Sequence, residues 1–205
     1  MKRSYDDSMR HGFAEPALLH SRGSVSLALN ELDDAIFYLT AALNKSAAAH
    51  GNNNELASSD DIVPSHTYNQ LGNAYKVARR YDEAAEAYTS ALAMGGIDVS
   101  IGINLGDLYR QMGKHDSSRE VFSTVMKLSN GSMLPLSFYN NYGMLQYETG
   151  DYEAALQLFE QALRVHEAVG VNPNEVSGSE SHLAVILNNI KKTHQGIESR
   201  GKRLV

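Results

Sequence analysis

Apolar and small residues recur at fixed intervals after four glycines of this chain. These marker glycines are Gly23, Gly72, Gly106 and Gly143. Twelve residues after each stands a small residue, sixteen after it a large apolar one, and nineteen after it another small or compact one. The distances between the glycines vary, at 49, 34 and 37 residues. Constant spacing within units and variable length between them is typical of stacked structural repeats.

Each unit is predicted to be a hairpin of two α-helices. In the second unit, Leu71 and Tyr75 share one helical face, and Ala84 and Tyr88 share a face of the next helix, because each pair is four residues apart. The break between the helices falls seven residues after each marker glycine, at Asn30, Arg79, Gly113 and Gly150. Asparagine and glycine tolerate the left-handed backbone that ends many helices, whereas an arginine at this place is unexpected.

Small residues let two antiparallel helices approach closely. Gly72 and Ala84 are therefore expected at such a crossing, with the large residue at the sixteenth place filling the space beside them. Ser118 replaces the alanine in the third unit. We expect looser packing there, so that Ser118→Ala would be neutral or stabilising. Because one hairpin cannot bury both its faces, roughly three or more units must stack.

The second unit resembles a tetratricopeptide repeat (TPR). The resemblance rests on YNQLGNAY at residues 68–75, YDEAAEAY at 81–88 and the pair Ala91-Leu92. The third unit is similar through residues 104–109, and the fourth through residues 139–143 and 150–155. The first unit departs from the family pattern, with Arg22 and Ser26 where leucine and tyrosine are usual, and is interpreted as an N-terminal cap.

The resemblance implies an all-α, right-handed TPR solenoid of about four helix hairpins with a C-terminal capping helix. The expected array spans residues 16–169, with hairpins near 16–49, 65–98, 99–132 and 136–169. The remaining segments are an N-terminal segment at 1–15, an insertion loop at 50–64, a linker at 170–180, the capping helix at 181–195 and a basic tail at 196–205. The polar insertion loop is expected to be the most protease-sensitive internal site.

Charge is distributed unevenly along the chain. The net charge of the 205 residues is −6, yet residues 191–205 hold five basic residues and one acidic residue, which leaves about −10 for the rest. An acidic body argues against a nucleic-acid groove, and the basic end is interpreted as a solvated, frayed terminus. No apolar run reaches the ~20 residues of a membrane span, and the N-terminus has no signal-peptide core. An intracellular, cytoplasmic protein is expected.

The residue pattern does not indicate a catalytic site. The chain has no cysteine, and its eight histidines are scattered without metal-ligand spacing. Neither a phosphate-binding glycine loop nor an oriented serine–histidine set occurs. We therefore expect no catalytic residue, no metal, no cofactor and no enzymatic activity.

In TPR arrays the first helix of each hairpin lines a concave surface, and carboxamides recur there in this chain. A carboxamide both donates and accepts, so a row of them can hold an extended peptide through its backbone. The predicted groove residues are Asn69, Gln70, Asn73, Lys76, Asn104, Asp107, Arg110, Asn140, Asn141, Met144 and Tyr147. The alternative, that the asparagines are solvated or join adjacent hairpins, stays open.

The predicted function is a protein-binding adaptor that holds an extended peptide or a helix of a partner, within a larger assembly. In chaperone-binding arrays, basic residues grip the partner's terminal carboxylate. The equivalent positions here are Asn69, Ser137 and Asn141, none of them basic, so a chaperone tail is not expected. Two alternatives remain: a recognition arm that acts with a transferase subunit, and a self-associating scaffold.

Overall fold

Nine α-helices account for most of the described chain, which in this computed structural model comprises residues 15–52, 64–95, 98–169 and 179–202. The helices are α1 (Pro16–Ala28), α2 (Leu32–Asn52), α3 (Pro64–Val77), α4 (Tyr81–Gly95), α5 (Val99–Gln111), α6 (His115–Leu128), α7 (Leu136–Glu148), α8 (Tyr152–Val169) and α9 (Ser179–Lys202). No strand occurs within these ranges. The all-α prediction is confirmed.

The chain divides into two compact units, residues 1–101 and 102–205. In the first unit, α1 packs against α2 and α3 against α4, while α2 also packs on α3. In the second unit, α7 packs against α8, and α6 contacts α7. The last helix, α9, packs on α8 and touches α7. Consecutive helices therefore pack in pairs as hairpins, and within each unit one hairpin also contacts the next helix.

Each marker glycine lies directly opposite the large residue sixteen positions later. A methyl group on Gly72 would approach the Tyr88 ring to 2.6 Å, and one on Gly143 would approach the Phe159 ring to 2.7 Å. The same close approach joins Gly23 to Leu39 and Gly106 to Phe122. All four large side chains are fully buried. The constant spacing of sixteen residues therefore corresponds to one type of contact, repeated in each hairpin. In this contact the backbone of one helix lies against a core side chain of its partner helix.

The four turns between paired helices are built alike. Asn30, Arg79, Gly113 and Gly150 all have positive φ, between 60° and 82°. The residue after each donates its backbone N–H to a carbonyl five residues earlier, as Arg80 does to Tyr75 at 2.9 Å. This is the Schellman arrangement, which satisfies the last carbonyls of a helix. Arg79 thus adopts the left-handed conformation despite its side chain, because the turn requires it.

The third hairpin corrects the expectation for Ser118. Its side chain is fully buried, and its hydroxyl donates a 2.7 Å hydrogen bond to the backbone carbonyl of Gly106. The serine therefore joins the two helices where other hairpins have alanine. Removing the hydroxyl is expected to cost stability, since a buried hydrogen bond would be lost.

The last helix is longer than predicted. It runs from Ser179 to Lys202, past the expected end at residue 195, so most of the predicted basic tail is helical. Gly196 lies against the ring of Tyr152, where a Cβ would come within 2.9 Å, and this contact places the later turns of α9 beside the α7–α8 turn. Most of the predicted insertion loop, most of the linker at 170–180 and nearly all of the N-terminal segment lie outside the described residues.

Candidate functional site

The predicted groove residues of the first unit all lie on α3. Asn69, Gln70, Asn73 and Lys76 are partly buried there. The side-chain oxygen of Asn73 accepts a 2.6 Å hydrogen bond from the Tyr88 hydroxyl. Asn73 therefore joins the two helices of its own hairpin.

In the second unit, the predicted residues of α5 belong to an ion-pair network. Arg110 donates to Asp107 at 2.8 Å and to Glu148 of α7 at 2.5 Å, and Gln111 donates to the second Asp107 oxygen. Although burial alone would lower it, the hydrogen bond and charge of Asp107 and the charge of Glu148 raise the pKa of Arg110. These groups already bind one another, and they tie α5 to α7. Asn104 lies on the same helix and is partly buried.

The predicted residues of α7 face the last helix. Asn140 accepts a 3.0 Å hydrogen bond from the side chain of Asn189 and donates a long one, 3.4 Å, to Asn141. Met144 and Tyr147 follow on the next turns and pack at the edge of the core that contains Ile186 of α9. The structure thus brings the four predicted α7 residues, Asn140, Asn141, Met144 and Tyr147, to one seam between two helices.

Three cavities follow this seam in the direction of the helices. The first, about 450 Å³, lies beside the start of α7 and includes Leu136 and Val185. The second, about 260 Å³, lies between Met144, Tyr147, Asn189 and Lys192. The third, about 610 Å³, lies at the end of α7. We call this series the α7–α9 groove. The second and third cavities share Tyr147 and Lys192, so the groove is continuous there.

The sequence did not predict the α9 side of the groove. Asn189 lies in the segment predicted to be a capping helix, and Arg200 lies in the segment interpreted as a frayed terminus. A signal was nevertheless present, because Lys192, Gly196 and Arg200 are spaced four apart and share one helical face. In its unit, α9 packs on α8 and touches α7, just as α3 packs on α2 and touches α1. It therefore occupies the place of the first helix of a further repeat.

Comparison with protein families matches two models described as tetratricopeptide repeats, at residues 67–96 and 99–168. The chain is a tetratricopeptide-repeat protein. Its third and fourth hairpins fall within the longer match and its second within the shorter one. The first hairpin lies outside both, in keeping with its degenerate pattern. No curated protein matches the chain significantly.

Solved structures of similar fold are tetratricopeptide-repeat proteins of low identity. BtubC (BKLC) from P. vanneervenii is 20% identical with a TM-score of 0.65, over 98% of this chain and 87% of that one. MamA is 20% identical with a TM-score of 0.64, over 81% and 86%. The first TPR of Spaghetti (RPAP3), bound to HSP90 peptide SRMEEVD, is 18% identical with a TM-score of 0.52, over 65% and 93%. At these identities the likeness shows the fold.

The described residues contain no group of three or more histidine, cysteine, aspartate or glutamate side chains that could hold a metal ion. Within the same ranges, no helix combines the length and apolar character needed to cross a bilayer.

Proposed function

We propose that this TPR protein is a protein-binding scaffold that holds an extended segment of a partner in the α7–α9 groove. The fold and its family support a protein-interaction scaffold in general. The observation that carries the finer proposal is the series of three cavities along α7 and α9, two of which are joined at Tyr147 and Lys192. The repeat fold of RPAP3 holds a short peptide, which supports the same use here.

The lining of the groove suits a peptide backbone. Asn140 and Asn189 bond to each other across the seam, and each carboxamide retains hydrogen-bonding capacity beyond that bond. Met144 and Tyr147 are partly exposed beside them and offer an adaptable apolar contact. Asn104, Asp107 and Arg110 of α5 remain proposals for additional contacts within the same unit. Asn69, Gln70, Asn73 and Lys76 of α3 remain a proposed contact surface of the first unit.

A matched pair of substitutions tests the groove. The full chain is used to select peptides from a phage library of random twelve-residue sequences, and the dissociation constant of a selected peptide is then measured by fluorescence anisotropy. Met144→Lys places a charge in the groove, and we expect binding to weaken on the order of tenfold, because an apolar contact is lost and a charge must be desolvated. Circular dichroism verifies that the variant is folded.

The control is Met126→Lys, the same change at an exposed position of α6 outside the groove. We expect it to leave the dissociation constant within about twofold, since an exposed residue away from the site contributes little to binding. Equal affinity of both variants, or a selection that enriches no peptide, would place the binding surface elsewhere.

The two alternative functions have their own readouts. Light scattering over a concentration series reveals a self-associating scaffold as a rise in mass, whereas a groove-binding adaptor keeps a constant mass. A recognition arm of a transferase would copurify with a catalytic subunit and increase its activity toward a protein substrate. We expect neither result for a scaffold whose main function is to hold a partner segment.

A further inference from the structure

The end of the α7–α9 groove beside the α7–α8 turn is a cationic pocket, formed by Tyr147, Tyr152, Lys192 and Arg200 around a cavity of about 610 Å³. The remaining lining groups are polar or glycine, and no aspartate or glutamate is among them. Gly196 allows the Tyr152 ring to lie against α9 between the two basic residues. The pocket thus presents two positive charges and two aromatic rings to one volume.

No acidic side chain lines this pocket to balance its positive charge. Of the acidic residues close to it along the chain, Glu148 binds Arg110, and Asp151 accepts from the backbone N–H of Ala154 at the start of α8. Glu153 and Glu198 are exposed and do not line the cavity. Arg200 makes one long hydrogen bond, 3.5 Å, to the carbonyl of Gly150. Among the described residues, no salt bridge involves Lys192 or Arg200. Both cations can therefore meet the charge of a ligand.

The opposite end of the groove has a different character. The 450 Å³ cavity there is lined by Pro135, Leu136, Val185 and Ile186, together with uncharged polar groups and His182. Val185 is 47% exposed, so an apolar surface remains open to solvent at this end. Apolar and cationic pockets thus lie at the two ends of one seam, with the Asn140–Asn189 pair between them.

The length of the seam relates the two pockets to a bound chain. From Leu136 to Glu148, α7 is roughly 20 Å long, because a helix rises about 1.5 Å per residue. An extended peptide covers that length in about six residues. Side chains of an extended chain that point to the same side are separated by an even number of positions. Two side chains that enter the two pockets are therefore about four or six positions apart.

We propose that the α7–α9 groove selects a partner segment by an acidic side chain held between Lys192 and Arg200 and an apolar side chain about four or six positions away. The inference rests on the proposed function and adds the chemistry of the partner. An aspartate or glutamate complements the two cations, and the tyrosine hydroxyls can donate to its carboxylate.

Charge reversal of the pocket tests the inference. Phage libraries in which the random twelve-residue peptide is fused through its C-terminus present no free terminal carboxylate, so any acidic preference must come from side chains. The full wild-type chain should enrich aspartate or glutamate about four or six positions from leucine, isoleucine, methionine or phenylalanine. The double variant Lys192→Glu/Arg200→Glu should instead enrich lysine or arginine at the same separation and keep the apolar preference.

The matched control is Lys127→Glu/Lys191→Glu, which changes the net charge equally at exposed positions that do not line the pocket. We expect the control to retain the acidic preference. For one selected acidic peptide, the pocket variant should weaken binding on the order of tenfold and the control less than about threefold, since exposed ion pairs are individually weak and screened by salt.

The outcomes separate this inference from the proposed function. If the wild type enriches apolar residues only, or the pocket variant keeps its preference for acidic peptides, the cationic pocket does not select the partner. Such a result, together with weakened binding by Met144→Lys, overturns the inference and leaves the groove proposal intact. If Met144→Lys also binds normally, both are wrong. Circular dichroism of each variant excludes unfolding as the cause.

Discussion

The second and third hairpins follow one plan but differ at the positions that determine how firmly each is held. After the marker glycine, the second hairpin has Asn73, whose oxygen accepts from the Tyr88 hydroxyl. In the third hairpin the equivalent aspartate pairs with Arg110, and the residue sixteen positions after its glycine is a phenylalanine. A part-buried hydrogen bond between the two helices of one hairpin is thus replaced in the other by a largely buried ion pair along a single helix.

Two further positions extend this comparison. Twelve residues after the glycine, the second hairpin has Ala84 and the third has Ser118, whose hydroxyl binds a carbonyl across the helix crossing. At the turn, Arg79 and Gly113 share the left-handed conformation. In both hairpins the spacing determines where the helices cross, while single side chains determine how much each crossing and turn contributes to stability.

Substitution of the marker glycine of the second hairpin should have the largest effect on the free energy of unfolding. Gly72→Ala would bring a methyl group to 2.6 Å from the fully buried Tyr88 ring, whose hydroxyl is held by Asn73. We expect a loss of about 2 kcal/mol in the free energy of unfolding, because overpacking outweighs the better helix propensity of alanine. Urea denaturation followed by circular dichroism measures it. Gly106→Ala should cost somewhat less, since the Phe122 ring lacks the hydroxyl that holds Tyr88; equal costs would show that the hydrogen bond does not restrain the ring.

Substitution of the residue twelve positions after the marker glycine should have the next largest effect on stability. Ser118→Ala removes a buried hydrogen bond to Gly106 and should cost about 1 kcal/mol of unfolding free energy. The reciprocal change, Ala84→Ser, is expected to be close to neutral, because the new hydroxyl would stand in the same relation to the carbonyl of Gly72. The same urea denaturation measures both variants. A Ser118→Ala variant as stable as the wild type would mean that the hydroxyl contributes nothing at this crossing.

Substitution of the turn residue should change stability by a smaller amount, with opposite signs in the two hairpins. Arg79→Gly is expected to stabilise the protein by about 0.5–1 kcal/mol, since glycine adopts a φ of 60° without steric cost. Gly113→Ala should destabilise it by a similar amount. A Cβ at Gly113 would meet no atom within 4 Å, so the cost is purely conformational. Thermal unfolding of both variants measures the difference, and a destabilised Arg79→Gly variant would reveal a contact of the arginine side chain that outweighs the strain.

The smallest expected effect is a pH dependence confined to the second hairpin and its contact with α1. Thr67 bonds His20 at 3.0 Å, whereas the equivalent residue of the third hairpin is the buried Ile101. Burial, and then the charge of His66, lower the pKa of His20. The unfolded chain therefore binds the proton more readily, and this contribution to stability is present above about pH 6.5 and lost as the pH falls below it.

Because His20 is half-exposed, the loss should remain below about 1 kcal/mol after solvent screening. Urea denaturation at pH 7.5 and 5.5 measures it, with His20→Gln as the variant that should lack this part of the pH dependence. The lowered pKa of Asp98, caused first by the side-chain hydrogen bond from Ser100, affects stability only at more acidic pH, near and below its ordinary value. An identical pH dependence of wild type and His20→Gln would assign the effect to other groups.

Much of the fold could be predicted because its main contacts are local and periodic. The sixteen-residue spacing predicted the contact of Gly72 with Tyr88, and the seven-residue spacing predicted the positions of the turns, including the one at Arg79. The role of Ser118 was predicted wrongly, because a serine in the sequence does not show whether an acceptor lies opposite it. In the structure that acceptor is the carbonyl of Gly106.

The candidate site could be predicted only in part. Asn140, Met144 and Tyr147 belong to a repeat with a recognisable pattern, so their helix and face followed from spacing. Lys192 and Arg200 lie in a helix whose composition is that of a solvated terminus, and its position emerges only from packing on α8 and from the contact of Gly196 with Tyr152. Side-chain partners between separate helices, such as Asn189 and Asn140, have no fixed sequence spacing to reveal them.

The glycine contacts described above also have a consequence for how the chain folds. Each joins residues only sixteen positions apart, so the loop that must close before the contact forms is short and its entropic cost is small. Folding rates rise as contacts become more local, and repeat arrays can begin folding at any unit. We therefore expect rapid folding that starts in the second hairpin, where Tyr88 both fills the space against Gly72 and bonds Asn73. Substitutions there should slow refolding, whereas changes in the degenerate first hairpin should mainly speed unfolding.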